Sequence, residues 1–234
     1  MKKYALFFNE STPADYDKLG GKGASLARVS VAKFPVPIGF CVTTDAYRDV
    51  LAATGLKNAL MAQIQSIDYQ GFSNLDSISA DLRNQIFQMA MPVEMENNIK
   101  KAYQQLCERT NHNDDLPVAI RSSANAEDMP NASFAGQQDT YLWVVGENAV
   151  IEHIKKCWAS LFTSRAITYR RDHNIGEEHI LMSVVIQKMV NAKAAGVAMT
   201  LNPINGDRSK IVIDASWGLG EVTPDHFLVE FQSL

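Results

Sequence analysis

Apolar residues keep one period in the first half of this chain and another in the second, and that single change narrows the folds open to it. Leu75, Ile78, Leu82, Ile86 and Met89 recur at three- or four-residue spacing, and Ile99, Tyr103 and Leu106 repeat the pattern after Pro92. That is the stripe of an amphipathic helix. From residue 117 onward the texture is that of strands, at residues 117–121, 140–145, 180–190, 195–201, 210–216 and 227–231. One amphipathic helix interrupts them at residues 150–162, carrying Ile151, Ile154, Trp158 and Leu161. Before the helical region the pattern predicts a short strand at residues 4–8, a helix opening at Gly20-Gly21-Lys22-Gly23 and a strand at 38–42. A helix from Asp45 follows, capped by Thr43 or Thr44 and ended by Gly55. Helices first and strands later, without β-α-β alternation, argue for an α+β fold. The polar run at residues 111–115 is the expected boundary between a helix-rich part, 1–112, and a strand-rich part, 113–234.

Composition excludes several classes. The net charge is −4 and no basic block stands out, so the clustered positive face of a nucleic-acid binder is missing. Cys41, Cys107 and Cys157 are odd in number and far apart, which fits buried thiols in a reducing compartment better than zinc ligands or a disulfide framework. The apolar run at residues 4–8 is too short for a secretory core, and no stretch approaches membrane-spanning length. The expectation is a cytoplasmic protein with no nucleic-acid or membrane partner.

Four segments could carry chemistry. Lys22 stands among glycines at a helix start, where amides and an ammonium group both attract phosphate oxygens. Gly23 in place of Ser or Thr after the lysine breaks the P-loop pattern, so a plain turn with a solvated lysine is the alternative. Arg121 closes the strand Pro-Val-Ala-Ile-Arg and could offer its planar fork to a phosphate, or pair with Glu127 or Asp128. Residues 133–140, small and polar around Gly136, could fold amides over an anion or form a hairpin bend. Residues 214–221 end a strand in Gly218 and Gly220 and read as a turn, with Glu221 a lesser candidate for a metal ligand. The five histidines, His112, His153, His173, His179 and His226, show no metal-ligand spacing. Trp143, Trp158 and Trp217 read as core anchors.

Singly these signals are weak, but their order is specific. The segments at 19–26 (Leu-Gly-Gly-Lys-Gly-Ala-Ser-Leu), 34–40 (Phe-Pro-Val-Pro-Ile-Gly-Phe) and 119–128 (Ala-Ile-Arg-Ser-Ser-Ala-Asn-Ala-Glu-Asp) come in the order of one family. So do 132–137 (Ala-Ser-Phe-Ala-Gly-Gln), 157–162, 185–190 (Val-Ile-Gln-Lys-Met-Val) and 216–221 (Ser-Trp-Gly-Leu-Gly-Glu). Together they resemble the ATP-binding domain of the phosphoenolpyruvate synthase (pyruvate, water dikinase) family. Rifampin phosphotransferase and phenylphosphate synthase share that domain.

The resemblance implies an ATP-grasp fold of two lobes, with ATP and Mg2+ as ligands. It implies transfer of the ATP β-phosphoryl group to a histidine on another domain, then to pyruvate, with AMP and phosphate as the other products. In relatives the acceptor is a rifamycin or a phenol. By position, Lys22 and Arg121 would grip the phosphates, Gly136 and Thr140 would belong to a lid, and Gln187 would stand at the adenine edge. Met189 and Val190 would offer backbone groups to the base. No residue here takes a catalytic role under the resemblance, and the metal ligands are unassigned. After Glu221 this chain runs directly into Val222-Thr223-Pro224-Asp225, where the family carries an additional short apolar stretch. The resemblance further implies that the magnesium-binding, phosphohistidine and acceptor-binding parts follow residue 234, so that this portion alone transfers no phosphoryl group. A stand-alone nucleotide-binding module of no catalytic function is the alternative from another class.

Overall fold

The computed structural model describes residues 3–112, 115–124, 140–177, 180–219 and, for the backbone alone, 228–232. In chain order the elements are β1 (Ala5–Phe7), α1 (Gly20–Val31), β2 (Gly39–Val42), α2 (Thr44–Thr54), α3 (Leu56–Gln65), α4 (Leu75–Gln88) and α5 (Val93–Arg109). Then come β3 (Val118–Ala124), β4 (Thr140–Val144), α6 (Glu147–Ser160), α7 (Ser164–Asp172), β5 (Met182–Lys188), β6 (Ala194–Met199), β7 (Lys210–Trp217) and β8 (Leu228–Gln232). The chain falls into two compact units, Met1–Met189 and Val190–Leu234. Among the described residues no helix is long and apolar enough to cross a membrane.

The first unit is built on a five-stranded sheet of order β1-β2-β5-β3-β4, every neighbouring pair antiparallel. β1 and β2 come from before residue 112 and share this sheet with three strands from after it. Antiparallel register puts directly paired residues on the same side of a sheet. Phe7, Phe40, Ile186, Ile120 and Tyr141 therefore form one row across all five strands. The neighbouring row, Leu6, Cys41, Val185, Arg121 and Thr140, faces the other way.

The aromatic-aliphatic row meets the main core. α4 buries Leu75, Ser79, Leu82 and Ile86, and α5 buries Met95, Ile99, Ala102, Tyr103 and Leu106, so the stripes legible in the sequence are the stripes that pack. Trp158 of α6 is fully buried and tilts against Tyr47 of α2, their rings 5.7 Å apart. The Trp158 indole nitrogen has no hydrogen-bond partner among the described residues, whereas two other buried polar groups in this layer are paired. The Tyr103 hydroxyl donates to the Leu116 carbonyl (2.9 Å) and accepts from the Gly146 amide (2.9 Å). The buried Arg170 guanidinium grips Glu177 through Nε and Nη2, both at 2.9 Å. Such bonds offset the cost of taking polar groups out of water.

The second unit is a three-stranded antiparallel sheet of order β6-β7-β8. Val212 is buried, whereas Trp217 is 87% exposed. That corrects the expectation that all three tryptophans are core anchors. Trp158 alone of the three is one, because only α6 carries its indole into the helical layer. Trp143 is 47% exposed on the edge strand β4. It sits in a left-handed conformation, φ 57°, where β4 spends one more residue than β3 between paired positions.

Candidate functional site

The row facing away from the main core is covered by α1. Leu19, Ala24 and Ala27 pack with Leu6, Phe8, Cys41 and Val185 in a small second core. Close approach of helix to sheet is possible only because two positions lack a side chain. A Cβ on Gly20, whose φ is +64°, would overlap the Ser123 carbonyl, and one on Gly23 would lie 2.6 Å from Cys41 Sγ. Burial pushes the Cys41 thiol up to about 12, so beneath Gly23 it is neutral filler.

These contacts fix the direction of α1. It begins over β3 at Ser123, passes over Cys41 of β2 and Val185 of β5, and continues toward Leu6 and Phe8. The positive end of the helix dipole thus lies at the β3 side of the sheet. Ser123 ties it there: its hydroxyl donates to the Leu19 carbonyl (3.0 Å) and accepts from the Gly23 amide (3.2 Å). One of the amides at this helix start is consequently bonded to protein, which the sequence alone does not disclose.

Lys22 lies inside this clasped turn and is half-buried. Arg121, also half-buried, stands on the same face of β3 as Ser123 and two residues from it, about 7 Å along a strand. Thr140 pairs directly with Arg121 and is exposed. α1 starts at β3, and the row it covers ends beyond it in this arginine and threonine. The helix start that carries Lys22 therefore lies over the face of β3 that bears Ser123 and Arg121, with Thr140 paired to Arg121 on the next strand.

Gln187 belongs to the next row on that face, between Gly39 and Ala119. Its amide nitrogen donates to the Pro37 carbonyl (3.0 Å), which fixes the side chain and commits one of its two N–H donors. Met189 follows directly after the central strand β5. Its amide donates to the Pro117 carbonyl (2.9 Å). In an antiparallel ladder such a pair normally exchanges two bonds, but proline has no N–H to return. The Met189 carbonyl thus faces a strand position that cannot satisfy it. Val190, half exposed, opens the second unit, and its carbonyl accepts from the Ala192 amide (2.9 Å).

Arg121, Thr140 and Gln187 share one face, the helix start carrying Lys22 is bonded to it, and Met189 stands at its end. Gly136 and the rest of 125–139, including Glu127 and Asp128, lie outside the described residues, as do Glu221 and Asp225. Among the described histidines, His112, His153 and His173 each set Nδ1 against a backbone carbonyl, of Thr110, Ala149 and Tyr169. No group of three or more His, Cys, Asp or Glu side chains arranged to hold a metal occurs among the described residues. Two residues of this site were not read from the sequence. Ser123 could have been, since alternation from Arg121 puts it on the same face; Pro117 could not, because its effect depends on which residue it opposes.

Residues 16–234 match the family described as "Pyruvate phosphate dikinase, AMP/ATP-binding domain". The chain belongs to this family. Its relatives include probable phosphoenolpyruvate synthases of Staphylothermus marinus, 48% identical over all of this chain and 29% of the relative, and of Methanothermobacter thermautotrophicus, 42% identical over 98% and 34%. A rifampicin phosphotransferase of Streptomyces sviceus is 42% identical over 97% of this chain and 26% of its own. The chain spans about a third or less of the length of these curated relatives. As members of this family, residues 16–234 form an AMP/ATP-binding domain.

Proposed function

We propose that this chain is the ATP-binding part, of the ATP-grasp type, of a dikinase that passes the β-phosphoryl group of ATP to a histidine on another domain and then to pyruvate. The observation that carries this reading is the clasp of the α1 start, which bears Lys22, to the face of β3 that also bears Arg121, itself paired with Thr140. Phosphoryl transfer asks a protein mainly for positioning and for neutralisation of charge as it develops. Lys22 and the helix terminus would meet the phosphates from above the sheet and Arg121 from within it. Thr140 would add a hydroxyl, and Gly136 would lie in a lid over the phosphates.

The base end follows from Met189. Adenine carries an exocyclic amino donor, and a carbonyl left open by Pro117 is a matching acceptor. The Val190 amide is the neighbouring donor for a ring nitrogen, and Gln187 would border the base. Mg2+ would accompany the nucleotide and shield its phosphates. The described residues offer no cluster to hold it, so no ligand and no step is assigned through it. The cytoplasm, where ATP and pyruvate meet, is the proposed location.

A second reading rests on the rifampicin phosphotransferase relative: the same ATP half could serve a rifamycin, or by extension a phenol, as acceptor. Incubating the full-length protein with ATP labelled in the β-phosphate separates the two. Label in phosphoenolpyruvate with pyruvate present supports the dikinase. Label in a rifamycin or phenol alone supports the second reading, and no AMP with any acceptor contradicts both.

A further inference from the structure

We propose that Ser123 is a positioning residue that sets Lys22 against Arg121, acting through the start of α1 and not on the nucleotide. This rests on the reading of Lys22 and Arg121 as the phosphate grip. The Ser123 side chain is fully buried, so it does not reach a ligand. Its one hydroxyl bonds both flanks of the turn that carries Lys22: it donates to the Leu19 carbonyl at 3.0 Å and accepts from the Gly23 amide at 3.2 Å. These partners lie 104 and 100 positions away in sequence. A single atom that both donates and accepts is what the task needs, and among short side chains a hydroxyl supplies it.

The same residue limits the helix from below. Gly20 sits so near the Ser123 carbonyl that a side chain there would overlap it, and the hydroxyl bonds keep the turn from lifting away. Ser123 and Arg121 stand on one face of β3, a strand paired with β5 along its whole length and with β4 from Val118 to Arg121. The spacing between the two cations is therefore set along this strand on one side and through one hydroxyl on the other. Ser122, the adjacent hydroxyl, faces the opposite side of the sheet and takes no part in the clasp.

A double-mutant cycle in the full-length protein tests this. ATP and adenosine affinities are measured for the wild type, Ser123→Ala, Lys22→Met and the double variant. The expected result is that Ser123→Ala weakens ATP about tenfold, leaves adenosine within about twofold, and costs little further ATP affinity once Lys22 is gone. If Lys22→Met costs no affinity, the phosphate-grip reading fails and the positioning role falls with it. If Lys22→Met weakens ATP and Ser123→Ala does not, the grip stands and the positioning role is wrong. An equal loss in both backgrounds, or a parallel loss of adenosine, means general loosening and also overturns the proposal. Should Ser123→Ala melt below the assay temperature, Ser123→Cys, whose thiol is only a weak donor and acceptor, carries the same cycle with a smaller expected loss of ATP affinity that again vanishes once Lys22 is gone; no loss, or an equal loss in both backgrounds, overturns the proposal.

Discussion

On one side of the five-stranded sheet, Phe7, Phe40, Ile186 and Ile120 look into a thick layer of helices. On the other, Leu6, Cys41, Val185, Arg121 and Thr140 look toward one glycine-rich helix that begins at β3 and leaves the row's polar end uncovered. The first side is closed by the volume of large side chains. The second is closed by backbone approach, with Gly20 and Gly23 against the strands. Volume packing seals this face except at its end, where Tyr141 is only partly buried. Backbone approach holds a helix terminus firmly while leaving charged groups beside it within reach of solvent. That is why a nucleotide is expected on the thin side only.

The contrast can be broken most forcefully on the thick side. Trp158→Ala removes the largest fully buried side chain and should cost about 3–5 kcal/mol of stability, read by denaturant unfolding. Protein that remains folded should bind ATP as before. A loss of ATP affinity without loss of stability would mean that the two faces are not separate in function.

On the thin side, Gly23→Ala should cost about 1–3 kcal/mol, because the new methyl meets Cys41 Sγ, and it should weaken ATP by tilting the helix start. Removing the thiol as well, in Gly23→Ala with Cys41→Ala, should recover most of both losses. No recovery would show that the close approach at Gly23 is not what seats α1. The smallest effect is expected at the bulge beside the polar edge. Trp143→Asn should raise stability by up to about 1 kcal/mol, since asparagine tolerates the left-handed backbone that tryptophan does not, and its exposed indole has little packing to lose. A clear destabilisation would show that the indole has a role the strain maintains.

Much of the thick side was legible in the sequence because periodicity reports burial directly: the stripes of α4, α5 and α6 are long and apolar. α3 and α7 gave no comparable signal. α3 buries only Leu60 and Ile64, and α7 buries Ala166, Ile167 and a guanidinium, Arg170. Gly55 ends α2 in a left-handed cap and opens α3 at once, so a glycine that reads as a stop is also a corner. The change of texture near residue 112 marks where strands become frequent, but α6 and α7 after it still add to the covering helices and the sheet draws on both sides of it.

The thin side was legible as a set of residues and not as an arrangement. Arg121 and Gln187 could be named from their motifs, but their shared face depends on β5 lying beside both β2 and β3, a long-range pairing without local signature. Ser123 and Pro117 show the same limit. Each acts through a partner more than 70 positions away, on Gly23 and Met189.

In the proposed placement, ATP phosphates sit on the α1 side of the sheet at Arg121. Calorimetric titration of ATP into the full-length protein, comparing Arg121→Met with Arg109→Met, tests it most directly. Arg109 is an arginine of the same charge on α5, stacked 3.8 Å over Phe7 and paired with Glu10 at 2.6 Å. It therefore controls for the loss of a positive charge as such. Arg121→Met should weaken ATP by about 1.5–3 kcal/mol, the scale of a charge-assisted hydrogen bond, and Arg109→Met should leave it unchanged. Equal losses in the two variants, or undiminished affinity in Arg121→Met, would contradict the placement of the nucleotide on this face.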